Sequence, residues 1–171
     1  MGTGTNWKQA AYSCQGGHAV RLDGTLWGWG RPNYGGLGIS FQSPIRVGTG
    51  TTWSDISIGL SMHMIATKTD GTLWTWGDNL NGTAGQNDVY DSDAIPYQVG
   101  VAANWSKVST GPNSSTAVKT NGTAYAWGVN TNGELGQGNV SMQLVPVQIG
   151  TATNWRSISV GPNHSGAIRG K

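Results

Sequence analysis

The chain has 171 residues, of which 28 are Gly and nine are Trp; only 11% are charged, and the formal net charge is +2. This profile excludes collagen, because there is no Gly-X-Y period, disorder, because disordered chains are poor in aromatics and rich in charge, and a membrane-spanning helix, because no apolar run reaches about 18 residues. The single Cys14 rules out an internal disulfide framework and a cysteine-based zinc site, the first residues show no signal-peptide pattern, and so small a net charge exerts little pull on nucleic acid or acidic membranes.

From the N-terminus onward the chain repeats itself. The first unit opens on Asn6-Trp7 and continues to Asp23-Gly24-Thr25-Leu26-Trp27-Gly28-Trp29-Gly30. A Gly-rich stretch, Asn33-Tyr34-Gly35-Gly36-Leu37-Gly38, precedes Ser43-Pro44-Ile45-Arg46-Val47-Gly48. The second unit opens on Thr52-Trp53 and the alternating Ser54-Asp55-Ile56-Ser57-Ile58. It continues with Asp70-Gly71-Thr72-Leu73-Trp74-Thr75-Trp76-Gly77, a loop over 80–86, and Ile95-Pro96-Tyr97-Gln98-Val99-Gly100. The third has Asn104-Trp105, Asn121-Gly122-Thr123-Ala124-Tyr125-Ala126-Trp127-Gly128, a loop over 131–138, and Val145-Pro146-Val147-Gln148-Ile149-Gly150. The fourth holds Asn154-Trp155, the alternating Arg156-Ser157-Ile158-Ser159-Val160, and His164 to Lys171.

Every Trp falls into a column of this repeat. Trp7, Trp53, Trp105 and Trp155 open the units at spacings of 46, 52 and 50 residues, and Trp29, Trp76 and Trp127 precede a Gly. Trp27 and Trp74 lie two residues earlier, where the third unit has Tyr125. The Trp content therefore reads as a packing code, not as an aromatic ligand cage.

Alternating polar and apolar residues predict half-buried strands. Asp-Gly and Asn-Gly between apolar runs predict hairpins, because both residues tolerate positive φ. No window carries a sustained helical period. Four short strands per ~50 residues, repeated, is the signature of propeller blades, each burying its faces against its neighbours. The expectation is an all-β, partial β-propeller of about 3.5 blades of short antiparallel strands. It is read as one domain over 1–171, with units about 5–50, 51–102 and 103–152 and a half unit over 153–171.

These phrases resemble the RCC1-type repeat (regulator of chromosome condensation). The third unit matches best, through Ala117-Val118-Lys119-Thr120-Asn121-Gly122, Trp127-Gly128-Val129-Asn130 and Gly133-Glu134-Leu135-Gly136-Gln137-Gly138. The second has His63, Ala66, Asp70-Gly71 and Trp76-Gly77, with Thr83-Ala84-Gly85 in place of Glu-Leu-Gly. The first has Gly16 in the histidine column, with His18 two positions later. The resemblance implies a propeller, typically closed by seven blades in this family. About 3.5 blades are too few for a ring of 4–8, and both ends supply the same strand types, so oligomerisation or docking on a larger assembly is expected.

No catalytic constellation stands out, and no cofactor is expected. Cys14 lacks an activating partner pattern, no serine lies in a nucleophile elbow, and Gly35-Gly36-Leu37-Gly38 is not followed by the Lys-Ser/Thr of a phosphate loop. His63 and His164 share a repeat column and, with His18, read as structural. Asp88, Asp91 and Asp93 lie in one loop and are the weak candidates for a metal, a calcium ion by their oxygen chemistry; a solvated insertion is the simpler reading. Arg21, Lys68, Lys119 and Arg169 form a basic column, either an arc that meets an acidic partner or solvent-facing strand positions beside the turn. Tyr34, Phe41, Tyr90 and Tyr97 lie off the Trp columns and are the exposed aromatic candidates.

The expected function is a non-enzymatic structural or interaction module with protein partners, itself or a larger assembly, and no small-molecule substrate, nucleic acid or membrane. Short, weakly charged versions of the repeat with Gly-, Thr- and Asn-rich loops resemble phage components, so a capsid decoration, cement or tail protein in the virion is the leading expectation. The bacterial cytoplasm is the alternative location. The alternatives in function are a surface glycan-binding module and an RCC1-type guanine-nucleotide exchange factor.

Overall fold

In the computed structural model, residues 6–14, 16–30, 41–90 and 95–171 are described. They form fourteen strands and, among the described residues, no helix, so none is long and apolar enough to cross a membrane. The first sheet holds β1 (Trp7–Ser13), β2 (Gly16–Arg21), β3 (Leu26–Gly30) and β4 (Phe41–Arg46), in that order. The second holds β5 (Trp53–Ile58), β6 (His63–Lys68), β7 (Thr72–Gly77) and β8 (Tyr97–Ala103). The third holds β9 (Trp105–Thr110), β10 (Ser114–Lys119), β11 (Ala124–Gly128) and β12 (Gln143–Gln148). β13 (Trp155–Val160) and β14 (Ser165–Arg169) pair alone. All neighbours are antiparallel, each sheet is a meander, and no sheet closes on itself.

The opening Trp of each unit pairs with the cation that ends the next strand. Trp7 faces Arg21, Trp53 faces Lys68, Trp105 faces Lys119 and Trp155 faces Arg169, and one residue bulges after each Trp. A bulge increases local twist, so the four sheets share the same bend at the same point.

Consecutive sheets stack through their first strands, with β1 on β5, β5 on β9 and β9 on β13. The second strands β2, β6 and β10 lie under the next sheet and are nearly wholly buried. A strand covered on both faces reads as a continuous apolar run, as in Met64-Ile65-Ala66. One core cluster joins Val20 and Leu26 of the first sheet to Trp53, Ile56, Met64 and Trp76 of the second. Another joins Ile65 and Leu73 to Trp105, Ala117 and Trp127 of the third. Burying each such side chain contributes about 1.5–3 kcal/mol, so the sheets are held by one another's faces.

The outermost strands are protected differently. Pro44 lies in β4 and Pro146 in β12, and Pro96 directly precedes β8. Proline cannot donate to a further strand, which blunts these edges.

Candidate functional site

The most regular chemistry lies at the end of the sheets where the Asp-Gly and Asn-Gly hairpins gather. In the first sheet, Asp23 Oδ1 accepts from the Thr25 N–H at 3.0 Å and from Thr25 Oγ1 at 2.6 Å, and Thr25 Oγ1 accepts from the Trp27 indole at 2.8 Å. In the second, Asp70, Thr72 and Trp74 repeat this at 2.9, 2.6 and 2.7 Å. In the third, Asn121 Oδ1 accepts from the Thr123 N–H and Oγ1 at 3.1 and 2.7 Å, and the relay stops there because Tyr125 has no indole.

Above each relay sits a cation. Arg21 lies 3.8 Å from the centroid of Trp27 and 4.7 Å from that of Trp7. Lys68 lies 3.5 Å from Trp74 and 4.8 Å from Trp53, Lys119 lies 4.6 Å from both Trp105 and Tyr125, and Arg169 lies 5.1 Å from Trp155. The two rings under each of the first three cations meet edge to face, with centroids 6.1, 6.0 and 5.0 Å apart. The ring quadrupole attracts each charge by about 0.5–1 kcal/mol, more where water is excluded. The basic column therefore spends one side of each charge on aromatic faces.

The carboxylates respond to these contacts. The Thr25 hydroxyl and N–H hold the Asp23 carboxyl below the usual carboxylate range, and the Thr72 hydroxyl and N–H do the same for Asp70. Partial burial lowers the Lys68 ammonium, against the pull of Asp70.

At the opposite end, two asparagines organise the Gly-rich loops. Asn79 is fully buried; its Oδ1 accepts from the Ala84 N–H at 2.8 Å, and its Nδ2 donates to the carbonyl and carboxylate of Asp88 at 3.2 and 2.6 Å. Asn130 does the same with the Leu135 N–H, the Asn139 carbonyl and side chain, and the Ser141 carbonyl. Their signal in the sequence is the shared Trp-Gly-x-Asn, at Trp76 to Asn79 and Trp127 to Asn130. Neither was singled out as a site residue by the sequence reading, nor were the relay threonines.

Asp88 thus closes a loop, while Asp91 and Asp93 lie outside the described residues. Among the described residues no three His, Cys, Asp or Glu side chains gather as metal ligands. Tyr34 also lies outside the described residues, and Phe41 opens β4 with a backbone pairing to Gly30. Tyr90 and Tyr97 are exposed; Tyr90 lies in the loop between β7 and β8, and Tyr97 opens β8 opposite Thr75, one position from the relay ring Trp74. His63 is wholly buried, His18 packs edge to face on Trp76 at 5.9 Å, His164 is exposed, and Cys14 is exposed in the turn after β1. Not all the Trp are buried: Trp53, Trp76, Trp105 and Trp127 are, whereas Trp7, Trp27, Trp29, Trp74 and Trp155 are half-buried. Trp27 and Trp74 stay partly accessible because a cation, rather than a neighbouring sheet, covers their faces.

The family model described as the regulator of chromosome condensation (RCC1) repeat matches residues 121–168, and a second model of the same description matches 105–134. The chain belongs to the RCC1-type repeat family. It is 31% identical over 140 residues to the ultraviolet-B receptor UVR8 of Arabidopsis thaliana, covering 77% of this chain and 31% of that protein. Among solved structures it is similar to human WBSCR16, with a TM-score of 0.84 at 21% identity, covering 98% of this chain and 45% of that one. It is also similar to yeast RCC1 (Prp20), solved bound to Kap60, with a TM-score of 0.82 at 19% identity over 99% of this chain and 43% of that one. The chain spans less than half the length of these relatives. The RCC1 propeller is thus the fold of this chain, present as three four-stranded blades and one two-stranded half-blade.

Proposed function

We propose that the chain is a non-enzymatic structural and protein-interaction module that docks through the open face of its half-blade, on a second copy or on the subunits of a larger assembly. One repeat position carries this reading. Val20, Thr67 and Val118 occupy it in the first three blades at 0%, 1% and 3% exposure, and Ile168 occupies it in the half-blade at 64%. β14 as a whole is exposed where its counterparts β2, β6 and β10 are covered. A position that is core in three blades and holds Ile168 in the half-blade calls for a covering surface there.

The assembly we favour is a phage particle, with the chain as a capsid decoration, cement or tail-associated protein. The short Gly-, Thr- and Asn-rich loops and the low charge support this choice. Mass spectrometry of purified particles tests it, and absence of the chain from them would overturn it. The docking surface is tested by light scattering on Ile168→Asp. The native chain is expected to self-associate or to join its particle, and the variant to remain monomeric with an unchanged fold. A stable native monomer that joins nothing would sink the reading.

A glycan-binding alternative draws on the exposed Tyr90 and Tyr97. A glycan array without hits removes it.

A further inference from the structure

The net charge of +2 conceals a strong separation of charge. The strand register places the four ring-stacked cations at the hairpin end of the sheets. Lys8 and Arg156 directly follow Trp7 and Trp155 at that same end, Arg46 faces Trp27, and Lys107 faces Val118. Lys171 follows Gly170, whose N–H donates to the Asn154 carbonyl beside Trp155. The blades present these residues together, because the N–H of Trp53, Trp105 and Trp155 donates to the hairpin carbonyl of Gly24, Gly71 and Gly122 of the blade before. Every described Lys and Arg therefore lies in the hairpin half of the molecule.

The carboxylates are distributed otherwise. Asp78, Asp88 and Glu134 lie in the loops after β7 and β11, at the far end. Asp55 is buried and accepts from the Val108 N–H at 3.2 Å. Among the described residues Asp23 and Asp70 are the exposed carboxylates at the hairpin end, at the tips of the first two blades, while the buried Asp55 faces Thr67 at the register position where Lys107 faces Val118. The third blade has neutral Asn121 at that tip. Over the third blade and the half-blade, Lys107, Lys119, Arg156, Arg169 and Lys171 outnumber the described carboxylates at this end, which are Asp55, buried against the Val108 N–H, and Asp70, in a cleft shared with Trp105 and Thr120.

We propose that this hairpin end, over the third blade and the half-blade, docks an acidic polypeptide segment. The proposal deepens the interaction-module reading by naming the partner's chemistry, and it uses a surface other than the Ile168 face. Lys107, Arg156 and Lys171 are exposed, and their charges are spread over successive blades, which suits separate carboxylates on a protein partner. A nucleic acid strand fits less well. Single strands bind by stacking bases on bare aromatic faces, and Trp105, Tyr125 and Trp155 already carry cations. A strand continuing across the blades would also run onto Asp70 and Asp23.

Fluorescence anisotropy with a labelled poly-glutamate peptide, alongside a labelled oligothymidine of equal length, tests the proposal on the full chain. The peptide is expected to bind saturably, to be released as salt screens the charges, and to bind at least about tenfold more weakly to the triple variant K107E/R156E/K171E. R46E, on the first blade, is expected to change affinity less than about twofold. If the reversals impair folding, the neutral triple variant K107Q/R156Q/K171Q, checked by circular dichroism, is expected to show an intermediate loss. Absence of peptide binding, equal binding to a folded triple variant, or tighter binding of oligothymidine would overturn the proposal. The neutral Ile168→Ser separates the two readings, since it removes the apolar face without adding a charge beside Arg169 and Arg156, and is expected to abolish self-association or particle joining while leaving peptide affinity unchanged.

Discussion

Lys68 Nζ lies 3.5 Å from the centroid of Trp74, while the indole N–H of that ring donates 2.7 Å to Thr72 Oγ1. Thr72 donates in turn to Asp70, so one ring joins a cation on its face to a carboxylate beyond its edge. Arg21, Trp27, Thr25 and Asp23 repeat the arrangement. The relay fixes the hairpin from both sides, through the backbone turn and through the ring.

Lys68→Met keeps the aliphatic stem and removes the charge. It is expected to lower stability by about 1 kcal/mol, with Lys68→Arg close to native, in urea titrations. Thr72→Val leaves the Trp74 indole without its acceptor and is expected to cost more, about 1–3 kcal/mol. Equal midpoints for native chain and K68M would show that the stack is geometric only.

Gly71 has φ of +79°, and a methyl there would strike the Ala103 carbonyl of the strand that leads to the next blade. Gly100 has φ of +58° with open space around it. Gly100→Ala is therefore expected to cost only the dihedral penalty, about 1 kcal/mol, and Gly71→Ala distinctly more. Denaturation midpoints that rank the two the other way would refute the steric account.

Asn130→Ala would leave the Leu135 N–H and the Asn139 and Ser141 carbonyls without partners. Of these residues Leu135 is buried and Asn139 and Ser141 are exposed; a buried polar group left unpaired costs about 1–3 kcal/mol, so the loop between β11 and β12 is expected to open first. Limited proteolysis of the variant should cut within 131–141 before any other site; cutting elsewhere first would count against Asn130 as the organiser.

Burial holds the His63 imidazole neutral, its pKa pushed down from the ordinary 6.5 to about 4. The fold thus favours the uncharged ring. Stability is full above pH 6.5 and is lost as pH falls from 6.5 to 4, by up to roughly 3 kcal/mol. Asp23 and Asp70, lowered by their threonines, contribute above the ordinary carboxylate range and lose their contribution only in more acid solution. Urea midpoints measured between pH 7 and 4.5 should fall for the native chain and stay nearly flat for His63→Gln.

The fold was legible because the repeat is written in residues with few structural alternatives. Asp-Gly fixes a hairpin, Leu-Trp-x-Trp fixes a strand face, and the spacing of Trp7, Trp53, Trp105 and Trp155 fixes the blade. The stacks were not legible. Trp7 and Arg21 are fourteen positions apart, and only the pairing of β1 with β2, bulged after Trp7, brings them together. The charge separation was hidden for the same reason, since a net charge sums over both ends of a blade. Asn79 and Asn130 look like ordinary polar loop residues until the loop closes round them.

The backbone bonds from Trp53, Trp105 and Trp155 to Gly24, Gly71 and Gly122 make each hairpin the acceptor of its successor's first N–H. Each blade is therefore coupled to its neighbours, as in a one-dimensional lattice whose units gain stability from one another. A blade in the middle is stitched from both sides and a terminal one from one side only. Amide exchange should accordingly be slowest in β6 and β10 and fastest in β14, and a fault introduced at one hairpin should loosen its own blade and the next, leaving more distant blades intact.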